Sequence, residues 1–309
     1  MLGLAGTLRD HPDIYPVHTL WVVEHGGHVI CAAVHTPPFN LVIAQPVIES
    51  AIPALADAVI GSDVALPGVT RATPEADAFA RAWTARAGVM PERRRRQRIY
   101  RLTQVRPVSG ASGRARQVTE TDRPLLISWI EAFAKEALGE NQSPANGAAR
   151  VVDARLRHGA GGFLLWEDDE PVSLAGWGGK TPNGIRLGPV YTPPERRRRE
   201  YASTAAVSAE RLAAGRQFCF LYTDLDNPTS NKIYTNIGYE PGLRLGGVRV
   251  HVSLDQSGMF PCFRFGFGSR FVSAVSSAEI KTGRVRRGSM TSSTYPRSAA
   301  VYGLAKRSL

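Results

Sequence analysis

Between Leu187 and Glu240 the chain passes from strand to basic loop, helix, strand and short helix with little freedom to read it otherwise. Arg186–Tyr191 is an apolar run that Pro193-Pro194 terminates, because proline has no N–H to give to a ladder. A helix is expected from about Arg199 to Ala214, with an apolar stripe on Ala202, Ala205, Ala206, Ala209, Leu212 and Ala213 and with Gly215 past its end. Phe218–Thr223 is a short aromatic and apolar strand expected to be buried. Asn227 then has the chemistry of an N-cap, Pro228 suits the first helical position, and Gly238 suits the exit. Two strands joined by a helix demand a crossover, so the sheet is at least partly parallel or splayed, in an α/β fold.

The order of elements around this stretch extends it into a domain. Ala115–Val118 reads as a strand, and Thr121 or Asp122 as the cap of a helix over Pro124–Leu138, followed by a second helix over Ala145–Arg157. Phe163–Glu167 and Pro171–Trp177 form a hairpin across Asp168-Asp169-Glu170. The first 107 residues make an α/β unit of their own. It has a hairpin of Thr19–Glu24 and Val29–His35, a short strand at Asn40–Ala44, and a helix over Ile48–Ile60. A strand and turn over Val64–Val69, a helix over Pro74–Arg86 and a strand over Arg98–Val105 complete it. The Pro-, Gly- and Ser-rich segment 108–113 serves as linker, and the second domain covers 114–250.

The second half resembles the Gcn5-related N-acetyltransferases. That family marks its cofactor loop with Q/R-x-x-G-x-G/A, and the matching positions here are Arg197, Arg198, Arg199, Glu200, Tyr201 and Ala202. The arginine and the last small residue agree, while Glu200 stands where the family has glycine. The second signature, Asn followed seven residues on by Tyr and then by Gly-aromatic, is met by Asn227, Tyr234 and Gly238-Tyr239. The resemblance implies an acyl-CoA N-acyltransferase fold, a mixed central sheet flanked by helices. The first half resembles the same topology without its cofactor loop, so a tandem of two such halves is expected. Family members usually carry a further helix or two upstream, which leaves a truncated start open.

What the resemblance implies chemically is transfer of an acetyl group from acetyl-CoA to a primary amine, by direct attack in a ternary complex and without a metal. Backbone of the strand at Val190 and Tyr191 would meet the pantetheine arm. A pyrophosphate would sit on the amides at the start of the following helix, at Arg198–Ser203, because a helix N-terminus offers unpaired N–H groups and the positive end of its dipole. Glu200 brings a negative charge there, and Arg196–Arg199 can offset it. Tyr234 is the expected general acid for the departing thiolate, since a phenol with an ordinary pKa of about 10 stays protonated at pH 7. Asn227 is a cap that also faces ligand, and Ser230, one turn before Tyr234, shares its helix face. No general base is identifiable. Glu195, Asp224 and Asp226 all have surface or turn roles that suit them as well.

Charge separates this reading from a nucleic-acid one. Of 38 Lys and Arg against 27 acids, residues 242–309 hold 11 basic residues and only Asp255 and Glu279, a net +9. The remaining 27 basic and 25 acidic residues leave +2 for the body, so the basicity belongs to a Ser-, Gly- and Arg-rich tail. Disorder is expected from 255 onward, with GLRLGGVRVHV as a closing strand before it. Back-translation of that segment with one base dropped gives a sequence similar to the family's acidic final strand, so a native and a frameshifted tail both remain open. The run Arg93–Arg96 reads as a solvated loop before a strand. Cys31, Cys219 and Cys262 lack ligand spacing and suit free thiols, no run reaches the length of a membrane span, and no export signal opens the chain, so a cytoplasmic protein is expected. Two alternatives stand beside the enzyme: an acyl-CoA binder with weakened catalysis, and a nucleic-acid binder using the tail.

Overall fold

The computed structural model describes residues 1–62, 64–88, 92–107, 111–138, 146–197, 200–249 and 284–288. The hairpin β1 (Thr19–His25) and β2 (His28–His35) follows a first helix, α1 (Leu2–Asp10). Its turn falls at Gly26 and Gly27, both at positive φ, where glycine alone is unstrained. Next come β3 (Leu41–Ile43), α2 (Ala51–Ile60), β4 (Val69–Ala72), α3 (Thr73–Ala87) and β5 (Glu92–Leu102). The order then repeats after β6 (Arg114–Gln117), α4 (Arg123–Leu138) and α5 (Gly147–Arg157). The hairpin is β7 (Gly161–Asp168) and β8 (Glu170–Gly178), followed by β9 (Gly184–Tyr191), α6 (Glu200–Ala213), β10 (Phe218–Asp224), α7 (Pro228–Ile237) and β11 (Glu240–Arg249). β12 (Arg284–Gly288) pairs antiparallel with β1, so five residues of the stretch expected to lack structure form an edge strand. Residues 255–283 and 289–309 of that stretch, Cys262 included, lie outside the described residues, as do residues 250–254 before it and residues 108–110 of the expected linker.

Among the described residues twelve strands join one sheet, in the order β12-β1-β2-β3-β4-β11-β5-β10-β9-β8-β7-β6. Each half contributes a hairpin, a third antiparallel strand, a helix and a parallel strand: β3 with β4 in the first, β9 with β10 in the second. The last strands are exchanged. β5 of the first half lies against β10, and β11 of the second lies against β4, with β5 and β11 antiparallel to one another at the centre. This exchange accounts for Arg93–Arg96, which are strand residues rather than a solvated loop. Arg93, Arg95 and Arg96 are in register with Val248, Gly247 and Gly246 of β11.

Three apolar clusters stabilise the sheet. One lies under α2 and α3 around Trp21, Leu41, Ile52, Leu55 and Phe79. The others lie on opposite faces of the second half: Phe163, Leu165 and Leu174 meet α4 and α5, while Leu164, Leu187, Cys219 and Leu221 meet α6 and α7. Each fully buried Leu, Ile or Phe contributes about 1.5–3 kcal/mol. The strand expected over Val64–Val69 is displaced: Leu66 is buried from a loop, and the strand begins at Val69. A 3₁₀ turn over Glu120–Asp122 precedes α4, capped by Thr119 in a capping box with Asp122. Helix α2 starts at Ala51, three residues later than expected. No helix among the described residues is long and apolar enough to cross a membrane.

Candidate functional site

β9 and β10 are parallel but paired only over Gly184↔Phe218, Ile185↔Cys219 and Arg186↔Phe220. Beyond that row each strand stays bonded on its outer side, β9 to β8 as far as Tyr191↔Leu174 and β10 to β5 as far as Asp224↔Gln97. The inner edges from Leu187 and Leu221 onward therefore face one another without ladder bonds. A bulge re-aims β9 at this level: Ala175↔Val190 and Trp177↔Leu187 place Gly188 and Pro189 opposite one residue of β8, and Gly188 takes φ +138°, which glycine alone adopts freely. The outcome is an opening between the inner edges of β9 and β10 that runs from Leu187 to the level of Val190 and Tyr191.

The chain leaves β9 through Pro193-Pro194 and a 3₁₀ turn at Pro194–Arg196. Arg196 is ion-paired with Glu170. Arg197 reaches back to α4, where its Nη2 donates to Glu136 Oε2 at 2.7 Å and its Nε to the Thr192 carbonyl at 3.4 Å. Both partners of the Arg197–Glu136 pair are about half exposed (46% and 48%), so a phosphate can compete for the guanidinium at little loss. Arg198 and Arg199 lie outside the described residues. Glu200, Tyr201 and Ala202 form the first turn of α6, which points its N-terminus from this loop.

Helix α6 buries part of the expected alanine stripe, with Ala205 buried and Ala206 and Leu212 packed against the core, and adds hydroxyl residues to it. Ser203, Thr204, Ala205, Val207 and Ser208 are buried, whereas Ala209 and Ala213 are exposed. The hydroxyls are tolerable because they bond within the fold: Ser208 Oγ donates to the Thr204 carbonyl at 2.7 Å and lies 2.9 Å from the Tyr239 hydroxyl. Burial pushes the Tyr239 phenol well above its ordinary pKa. The aromatic strand is likewise half-buried, not buried: Cys219, Leu221 and Thr223 face α6, and Phe218, Phe220 and Tyr222 face outward.

Asn227 caps α7 as expected, its Oδ1 accepting from Ser230 N at 3.0 Å, and Gly238 closes the helix at φ +110°. Tyr234 projects from α7 into the α6-side cluster that also holds Val190. Its ring packs on Tyr100 and Tyr239, with centroids 6.5 and 5.9 Å apart. Tyr234 and Val190 are thus brought into one cluster beside the opening, while Asn227 is exposed and Ser230 half-buried. On the opposite side the Tyr191 ring meets Trp129 of α4 at a tilt of 57°, with centroids 6.1 Å apart. Burial, and then the Glu136 charge, raise its phenol pKa. Glu195 is exposed, Asp226 is ion-paired with Arg96, and Asp224 Oδ1 accepts from Asp226 N. Sequence reasoning missed Asn231, whose Nδ2 donates to the Asp224 carbonyl at 3.0 Å and ties α7 to the end of β10. It also missed Glu136, whose position sixty-one residues from Arg197 carries no local signal.

This arrangement is the fold of the Gcn5-related N-acetyltransferases, built twice in one chain. A GCN5-related N-acetyltransferase from Kribbella flavida superposes with a TM-score of 0.52 at 15% identity, covering 81% of this chain and 95% of its own. A tandem GNAT protein from the clavulanic acid biosynthesis pathway gives 0.52 at 14% identity, over 81% of this chain and 87% of its own. A GCN5-related N-acetyltransferase from Sphaerobacter thermophilus gives 0.51 at 15% identity, over 72% of this chain and 77% of its own. No family model matches the sequence, and no curated protein matches it.

Proposed function

We propose that the chain is an N-acetyltransferase that takes acetyl-CoA as co-substrate and a primary amine as acceptor. The observation that carries this reading is the partial pairing of β9 with β10, which opens a slot between two otherwise bonded strands. Acetyl-CoA would supply the activated acyl group. Val190 and Tyr191 would bond its extended arm through their backbone, and the first turn of α6 with Arg197 would hold its phosphates. In the proposed reaction the amine nitrogen forms a bond to the acyl carbon and the carbon–sulfur bond breaks. The Tyr234 hydroxyl gives its proton to the leaving sulfur, and the amine loses its proton to water. Asn231 and Asn227 are positioning residues that fix α7 against β10.

A second reading, acyl-CoA binding with weakened turnover, is favoured by one feature: Glu200 opens α6 where a phosphate would sit. Two measurements separate them. Acetyl-CoA should bind, and free thiol should be released when a panel of primary amines is added. Binding without thiol release from any amine selects the second reading, and absence of binding removes both.

A further inference from the structure

The sheet face opposite α6 carries a constellation that the acetyl-CoA slot does not use. On β9, Ile185 and Leu187 point to the α6 side, so Arg186 points away from it, along with Phe218, Phe220 and Tyr222 of β10. The three rings form a column, with successive centroids 6.1 Å apart. Arg186 sits in register with Phe220, yet its guanidinium lies over Tyr222, 5.8 Å from the ring centroid. Tyr222 is two residues, about 7 Å, nearer the open end of the strand pair. The charge is therefore carried toward the slot. Arg101, on β5 across from Phe220, leans the other way, over Phe218 at 4.7 Å.

Arg155 of α5 approaches from the neighbouring strand. It lies on β8 where Gly176 and Gly178 leave room: a Cβ at Gly176 would stand 2.5 Å from its Nη1. The Phe163 ring backs it at 4.8 Å. Its Nη1 is buried with no hydrogen-bond partner. Burial, and then the neighbouring Arg186 charge, hold this guanidinium below its ordinary pKa. Among the described residues neither arginine has a carboxylate partner. Two like charges, one with a buried unpaired donor, are unfavourable in isolation and become favourable when an anion lies between them.

We propose that this face selects the acceptor: the amine substrate carries an oxyanion, a carboxylate or a phosphate, held by Arg186 and Arg155, with its apolar part against Phe220 and Tyr222. The inference rests on the acetyltransferase reading for the word acceptor, but the anion site itself can be tested without turnover. The probes are 3-phenylpropionate, its uncharged amide and phenyl phosphate, titrated into the full chain by ligand-observed NMR. The parent should bind an anion about ten- to hundredfold more tightly than the amide, as for a charge-assisted hydrogen bond. Comparison of the two anions tells carboxylate from phosphate. Arg186→Gln, at an exposed position, should abolish the preference, Arg186→Lys should keep part of it, and Arg101→Gln should leave it intact. Equal binding of acid and amide, no binding of either anion, or a preference that survives Arg186→Gln overturns the proposal. Acetyl-CoA is titrated in parallel: an anion preference without acetyl-CoA binding keeps the site and removes the acetyltransferase reading, and the reverse result does the opposite.

Discussion

Replacing Ser208 by Ala should destabilise the protein through a residue it does not touch covalently. Ser208 gives its proton to the Thr204 carbonyl, so its oxygen accepts from the Tyr239 hydroxyl at 2.9 Å, and Tyr239 is 1% exposed. Ser208→Ala leaves that phenol buried without an acceptor, which costs about 1–3 kcal/mol. Alanine's better helix propensity returns roughly 0.5 kcal/mol, so the net loss is about 0.5–2.5 kcal/mol. Tyr239→Phe removes the hydroxyl but leaves Ser208 bonded to Thr204, for a loss of about 1 kcal/mol. The double variant should then be about 1 kcal/mol more stable than the sum of the single effects requires, because it leaves no orphaned group. Urea denaturation of the four proteins measures this directly. Strict additivity, or a Ser208→Ala loss below about 0.3 kcal/mol, would refute the buried-pair argument.

Tyr234→Phe should lower the turnover number by about 10²–10⁴ while leaving acetyl-CoA affinity unchanged, because the ring keeps its packing on Tyr100 and Tyr239 and loses only the proton. Asp122 is held down to about pKa 2, first by the hydrogen bonds from Arg116 at 2.9 and 3.0 Å. Its contribution, roughly 1–2 kcal/mol after allowance for solvent screening, is present above about pH 4 and lost as pH falls toward 2. Acid titration of Asp122→Asn should show a correspondingly shallower loss of stability. In alkali the sign reverses: burial raises Cys31 and Cys219 to about 11 and lifts Tyr239 well above its ordinary value. Stability should therefore be complete below about pH 9 and decline above it, as these groups ionise in the unfolded chain before the folded one, and thermal melts from pH 8 to 11 would show it.

Periodicity and punctuation made most elements legible. The period-2 runs at Thr19–His35 and Gly161–Gly178, the Asn227-Pro228 entry and the Gly238 exit all appear where residue chemistry places them. What escaped was set by partners distant in sequence. Arg93–Arg96 form strand because β11, some 150 residues later, offers its edge between β4 and β5, and no local pattern announces an exchange of strands. Val64–Leu66 has strand composition but no ladder to join, so it packs as a loop while Val69–Ala72 pairs with both β3 and β11. Helix α6 buries Ser203, Thr204 and Ser208 in place of Ala209 and Ala213, since hydroxyls that bond backward to carbonyls behave as small core residues. In the candidate site, the order of β9, α6, β10 and α7 and the cap of α7 at Asn227 were legible from strand and helix punctuation. The roles of Glu136, Asn231 and the paired arginines Arg155 and Arg186 depend on geometry that spacing does not encode.

Calorimetric titration of acetyl-CoA into the full chain tests the central claim most directly. The account predicts saturable binding at one site per chain, weakened by Arg197→Ala and unaffected by Tyr234→Phe. No binding by the parent at millimolar acetyl-CoA would contradict it, and the opening between β9 and β10 would then be a feature of the fold without its ligand.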